Sequence, residues 1–435
     1  MAAIVVAILF GINNYFYPSY SLGLEPPLYQ GNPVITDSKL EIQEVARGLE
    51  LPTTMAFIGN DDFLILEKEK GTVRRVINGS LLEEPVLRVN VSTEIDRGLL
   101  GIAALQDGHE NRDVFLYYSE AQRANDDYLS QDNATKGEVS NRLYRYEMLD
   151  GRLVKPRLLL DLPAVPNRHP GGQLLIGPDA NVYLTIGDID HYTTAQNIRN
   201  GTEADGTSAI LRITTSGQPI LTGTQGLLGD KYPLNLYYAY GVRNSFGIDF
   251  DPVTGLLWDT ENGESVGDEI NLVKPGFNSG WRKVQGVWTG DEEGVDIKEI
   301  PIFDWTKNAE QLVDFNGKGK YSEPELSLYD NVGLTALKFL NSSVYGEEYE
   351  DDIFVGDFNN GNLYHFDLNE EQDRTQLSLD GDLEDKLANN IEEIREKIFG
   401  RGFSGISDIE IGPDGYLYVI SIGQGKVFRI TNENQ

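Results

Sequence analysis

The chain has 435 residues, longer than most single-core domains, so it forms either two domains or one large domain built from repeats. With 46 Gly, 22 Tyr, 17 Phe and 40% apolar residues it suits many short strands joined by Gly-rich turns, which excludes disorder and a helical bundle. Lys and Arg number 36 against 69 Asp and Glu, a net charge of −33, so nucleic acid would be repelled, and with no Cys there is neither disulfide nor thiolate chemistry.

From the N-terminus, residues 2–12 form an apolar run, followed after Asn13 and Asn14 by Tyr15, Phe16 and Tyr17, the order of membrane core and then interfacial belt. The run is short for a full span and lacks a basic flank. Residues 1–17 are therefore expected to be an uncleaved anchor or secretion signal rather than a buried strand, and residues 18–37 a Pro-rich linker. The rest of the chain is then expected on the extracellular face, membrane-anchored or secreted. Five N-x-S/T sequons, at Asn78, Asn90, Asn133, Asn200 and Asn341, are compatible with export.

From residue 38 to 433 one unit recurs: a short apolar strand, a turn of Gly, Asp, Asn or Pro, and a second strand rich in Tyr, Leu and Val. Copies occupy residues 55–76, 114–148, 174–188, 247–261, 353–368 and 409–430. Six four-stranded hairpin units predict an all-β, six-bladed β-propeller, closed by a strand near residues 40–45 pairing into the unit at 409–430. A pair of β-sandwiches is the alternative, but a repeat spacing of about 40 to 75 residues is too long for sandwich strands. One segment departs from the pattern. In residues 382–399, Leu383, Leu387, Ile391, Ile394 and Ile398 stand at spacings of three and four, which predicts an inserted amphipathic helix.

A general base of the usual kind is drawn from His109, His169, His191 and His365. His169 precedes Pro170-Gly171-Gly172 and a strand, where paired glycines let backbone approach a ligand and the imidazole points into a central mouth. Otherwise it is a surface residue. Arg243 and Asn244 present a guanidinium and an amide together, suited to a planar anionic or carbonyl ligand, or else to a capping salt bridge. Residues 261–269 hold four carboxylates around glycines, hard oxygen donors that Ca²⁺ accepts, unless the loop is simply a solvated acidic turn. The overall acidity likewise reads as a self-repelling surface, with cation binding or a high-salt habitat as alternatives.

These residues also carry a family resemblance. The strings LPTTMAF, RGLLGIAAL, RHPGGQLLIGPDANVYLTIGD, YAYGVRNSFGIDFDPVTGLLWDTENG, GDEINLVKPGFNSGWRKVQG and IEIGPDGYLYVI resemble, in order, the soluble aldose sugar dehydrogenases of the glucose/sorbosone dehydrogenase family. The resemblance implies a six-bladed propeller that holds pyrroloquinoline quinone (PQQ) and Ca²⁺ in its mouth, oxidises aldoses at C1 and passes electrons to an external acceptor. By it, His169 matches the general base, and Arg243 and Asn244 match residues lining the quinone. Gly263 and Glu264 fall where backbone carbonyls hold the catalytic Ca²⁺, and Glu269 matches a carboxylate ligand of a structural Ca²⁺. The chain departs from the family where an Arg-x-Arg-Asp string and a Lys offset the three carboxylates of PQQ. Gly405-Ile406-Ser407-Asp408 and Asn359 stand there instead, with Lys386, Arg395, Lys397 and Arg401 as alternative sources of charge. Two functions follow: an exported quinoprotein sugar dehydrogenase, or an extracellular binding propeller with a decayed cofactor site. A Ca²⁺-dependent lactonase would need a ring of inward Glu, Asn and Asp that cannot be assigned here.

Overall fold

The computed structural model describes residues 31–105, 112–121, 139–190, 197, 203–223, 225–264, 266–289 and 312–433. The expected anchor, residues 18–30 of the linker, the sequons at Asn133 and Asn200, and His109 and His191 lie outside these residues. Among the described residues no helix is long and apolar enough to cross a membrane.

The fold is an all-β propeller with almost no helix; what helix is described consists of single 3₁₀ turns such as Leu234–Leu236 and Glu370–Gln372. Sheet I begins with Pro52–Gly59, sheet II with Leu99–Leu105, sheet III with Leu174–Ile176, sheet IV with Ser245–Phe250, sheet V with Leu334–Phe339 and sheet VI with Ile406–Ile411. The first strand of each sheet contacts the first strands of the next and previous sheets, and sheet VI returns to sheet I, so these strands line one axis. Each seam between sheets holds its own apolar core, for example Leu64, Val73, Leu116 and Tyr118 between I and II, and Trp258, Ile270, Phe339 and Val355 between IV and V. Strand alternation explains this, because both faces of a sheet are covered by its neighbours.

The recurrent Gly-Pro-Asp turn has a local reason. In sheet III the Gly177 N–H donates to the Asn181 carbonyl at 2.9 Å while Asp179 accepts from the Tyr183 hydroxyl at 3.1 Å. In sheet VI Gly412 and Tyr416 repeat the turn at 2.9 Å, and Asp414 accepts from the Tyr418 hydroxyl, also at 2.9 Å. An aspartate that ties the turn to a tyrosine four residues on fixes the hairpin register.

Leu40–Arg47 pairs antiparallel with Lys426–Asn432, with Leu40 opposite Asn432 and Arg47 opposite Lys426, so the N-terminal strand completes the C-terminal sheet. Two expectations need correction. The units are not equal four-stranded hairpins: sheets II and VI have four strands, sheet III has six, the others five, and Val284–Gln285 with Trp288–Thr289 forms a separate ribbon. Nor do residues 382–399 form a helix. They run through the 3₁₀ turns Gly381–Leu383 and Arg395–Lys397, with Leu387–Ala388 added in parallel to sheet IV and Ile398–Arg401 joining sheet V. The helical spacing instead buries Leu383 and Ile394 on sheets IV and V. Side chains of Asn390, Glu393 and Asp330 take the backbone N–H groups of Glu392, Asn389 and Ile391 that a helix would need.

The closure is directly testable because the chain has no Cys. Gln43 and Arg429 are register partners. The double variant Gln43→Cys, Arg429→Cys is expected to cross-link on oxidation and gain about 2 to 4 kcal/mol in chemical denaturation, as a disulfide closing a long loop does. An oxidised variant with two free thiols would mean that the strands do not pair.

Candidate functional site

His169 lies on the loop entering sheet III, buried, with φ of 50°, a conformation that a non-glycine residue holds only when its surroundings fix it. Its backbone N–H donates to Asp96 at 3.1 Å. The neighbouring glycines serve packing rather than approach to a ligand. A side chain at Gly172 would strike the Leu100 Cβ at 2.7 Å, and one at Gly171 the Thr185 carbonyl at 2.5 Å. The loop therefore lies flat on sheets II and III and delivers the imidazole to the mouth, the end of the axis where the loops meet.

There His169 Nδ1 is 2.6 Å from Asp188, and Nε2 is 3.1 Å from Nη2 of Arg243. A guanidinium can only donate, so Nε2 carries the lone pair and the ring proton sits on Nδ1, donated to Asp188. Asp188 also accepts from the Trp281 indole at 2.9 Å and from the Asp190 N–H at 2.9 Å. Burial pushes its carboxyl up, but His169, the hydrogen bond between them and Arg243 hold it below the ordinary range. Arg243 stacks over Trp281 at 5.5 Å and donates through Nη1 to the carbonyls of Asn262 and Gly263, each at 2.9 Å. Its Nε and the Oδ1 of Asn244 are buried without a hydrogen-bond partner.

The structure thus brings His169, Arg243, Asn244 and Gly263 together. The Gly263 carbonyl accepts from Arg243 and also from Asn331, at 2.9 Å. Glu264 is exposed, with its N–H bonded to Gln285. Glu269 lies apart, buried at the seam of sheets III and IV, where it is directly opposite Glu261 in the ladder, and Asp259 is two residues before Glu261 on the same face. Ser279 donates to Glu261 at 2.6 Å and to Glu269 at 3.3 Å. Among the described residues none of these three carboxylates has a Lys or Arg ion-pair partner. Both oxygens of Asp259, Oγ of Ser245 and Oδ1 of Asn271 are buried without partners. Burial pushes Asp259 and Glu269 up to about 7 and Glu261 well above its usual value, with mutual repulsion adding to it. Asp188, Trp281, Asp96 and Asp259 were not singled out from sequence. The only local signal was polarity at the ends of strands.

Residues 49–429 match the family model described as Glucose / Sorbosone dehydrogenase, and the chain belongs to that family. It is 23% identical over 393 residues to the aldose sugar dehydrogenase YliI of Escherichia coli, covering 89% of this chain and 91% of that one. The crystal structure of the soluble aldose sugar dehydrogenase of Escherichia coli in its apo form superposes with a TM-score of 0.66 at 20% identity, over 91% of this chain and 100% of that one. The PQQ-bound form of the Streptomyces coelicolor aldose sugar dehydrogenase does so with 0.62 at 19%, over 91% and 99%. At these identities the two structures speak for the fold.

The residues present fit the implied groups unequally. Unpartnered hard oxygens around Asp259, Glu261 and Glu269 fit Ca²⁺. Arg243, Asn244 and His169 fit the quinone end of PQQ. Its three carboxylates meet no cation at Asn359, which donates to the Asn331 carbonyl at 3.1 Å, at Gly405, or at Ser407, which donates to Pro52 at 2.9 Å. The proposed substitutes are engaged elsewhere: Lys386 with Glu325 at 2.7 Å, Arg395 with Glu392 at 3.0 Å and Lys397 with Ser378 at 3.5 Å, while exposed Arg401 stands in an outer strand of sheet V. Nearer the site, Lys68 and Arg97 are buried, on the carbonyls of Ile95 at 3.0 Å and Ala164 at 2.5 Å.

The acidic seam sets a pH dependence. Its carboxyls bind protons more tightly folded than unfolded, where they titrate near about 4, so stability without metal falls as pH rises from about 4 through 7. In chelator the melting temperature is expected to be lower at pH 8 than at pH 5, and added Ca²⁺ to raise it more at pH 8. Melting curves indifferent to Ca²⁺ and chelator at pH 8 would rule out cation binding at the seam.

Proposed function

We propose that the protein is a quinoprotein sugar dehydrogenase that oxidises the C1 hydroxyl of an aldose and works outside the cell, held by its N-terminal segment. Family membership and the His169 environment support the chemistry; the apolar run at residues 2–12 supports the location. The single observation that carries the proposal is the imidazole held between Asp188 and Arg243 with its lone pair on Nε2.

Nε2 is the atom that takes the hydroxyl proton as the C1–H bond gives up its hydride. The substrate hydroxyl enters the position that Nη2 of Arg243 holds in the resting structure. Asp188, kept ionised, then stabilises the imidazolium, and its contact with Trp281 keeps the ring from turning. Bound PQQ would supply the two-electron acceptor for that hydride, with Arg243 and Asn244 lining its quinone end and the Gly263 and Glu264 carbonyls beside its Ca²⁺.

The test is reconstitution with PQQ and Ca²⁺, followed by the cofactor spectrum and dye-linked aldose oxidation. His169→Gln is expected to keep the spectrum and lower kcat by about 10² to 10⁴, the contribution of a positioned base. Gly405→Arg with Ser407→Arg should tighten PQQ, each charge-assisted hydrogen bond contributing about 1.5 to 3 kcal/mol. If neither wild type nor the arginine variant takes up PQQ at micromolar concentration, the pocket is not a quinone site and the chain is a binding propeller.

A further inference from the structure

Sheet V carries a second polar cluster at the end away from the mouth. Strand Ile353–Asp357 leads toward Asn359, and Asp352 precedes it, so its five residues put Asp352 about 17 Å from the mouth end. Phe354 is opposite His365 in the ladder, and continuing the register by two residues from Phe354 sets Asp352 opposite Asp367. Asp352, His365 and Asp367 therefore share one face of two strands, and their ligand atoms lie within 4.8 Å of one another. Nε2 of His365 is 2.8 Å from Asp352. The imidazole is wedged among Phe354, Tyr349 and Phe399, with ring centroids 5.0, 5.1 and 6.2 Å away.

The cluster is poor in positive charge. Tyr349 bonds Asp37 at 2.9 Å on the adjoining segment, but Lys39 of that segment is paired with Glu348 at 3.3 Å. Asp352 is buried and Asp367 exposed, and the two carboxyl groups come close enough to share a hydrogen bond.

We propose that Asp352, His365 and Asp367 bind a first-row divalent transition ion, for which Zn²⁺ is the probe. One imidazole and two carboxylates match its ligand preferences, and the exposed side leaves a coordination position for water. Ca²⁺ is the wrong ion, since it seeks six to eight oxygens. The site is independent of the mouth and of the seam at Glu269.

The experiment is calorimetric titration of the chelator-stripped full chain with Zn²⁺ in saturating Ca²⁺, so that hard-oxygen sites are filled, with Co²⁺ absorption as a second readout. Wild type is expected to bind one equivalent. Asp367→Asn, at the surface and free of packing changes, should weaken binding by more than about 100-fold, above the range of about 10- to 100-fold for an outer-shell partner. His365→Ala, its folding checked by circular dichroism, should abolish the Co²⁺ band. No stoichiometric Zn²⁺ binding by wild type, or binding that Asp367→Asn leaves unchanged, overturns the proposal.

Discussion

The propeller depends on the ladder between Leu40–Arg47 and Lys426–Asn432. Every sheet has its two faces covered only by neighbours, so a ring opened at one seam exposes two apolar faces at once. The seam between sheets VI and I buries Ala46, Leu49, Met55, Phe57, Ile65, Tyr418, Ile420 and Val427, among others. Burying one large apolar side chain contributes about 1.5 to 3 kcal/mol. Exposing half a dozen of them would therefore match the whole net stability of a domain, about 5 to 15 kcal/mol. A closed ring also explains why residues far apart in sequence share a site. Asp96, His169, Arg243, Gly263 and Asn331 stand on loops beside successive strands around one axis, and converge because those strands do.

Charge divides the interior into two regimes. At the mouth each buried charge has an answer: Asp188 is met by His169, Trp281 and Arg243, and Arg243 by two carbonyls. At the seam of sheets III and IV, Glu261 and Glu269 have hydroxyl, amide and backbone donors, the oxygens of Asp259 have none, and no Lys or Arg among the described residues pairs with any of the three. Carboxylates on directly opposite strand positions repel one another, and burial amplifies the repulsion. Such a seam is stable only if it holds protons or a cation, so it links folding to pH and to divalent ions in a way that the mouth does not.

Much of this was legible in the sequence, for identifiable reasons. The Gly-Pro-Asp turns repeat because Asp179 and Asp414 each tie a turn to a tyrosine four residues on, a purely local device that pattern reading detects. The closing strand near residues 40–45 was legible because a propeller closes its ring without a free edge. His169, Arg243 and Asn244 stood out by residue type in glycine-rich loops. Asp188 and Trp281 did not, because their roles arise from a contact across 93 residues that no local spacing encodes. The supposed helix at 382–399 shows the reverse error. Leu383 and Ile394 satisfy a helical period, but an extended strap with buried anchors every few residues satisfies it too, and Asn390 with Glu393 tips the balance by capturing backbone N–H groups.

The same separation of local from distributed roles bears on activity. Groups that touch the reacting atoms set the rate of the chemical step, whereas groups that grip a remote part of a cofactor set how much of it is bound. On the proposed function the first set stands around His169, and no cation of the second set stands at Asn359, Gly405 or Ser407. Neutral side chains at those three positions would leave a bound tricarboxylate facing a protein of net charge −33, so the cost would fall on cofactor affinity. Bound divalent cations would offset that cost at long range. Ca²⁺ at the seam would cancel carboxylates whose field reaches the backbone of Arg243 through Glu261, whose Oε1 accepts the Arg243 N–H at 2.6 Å. On the proposed function, metal content, cofactor affinity and the position of Arg243 would form one coupled system, in which the occupancy of the seam conditions the mouth.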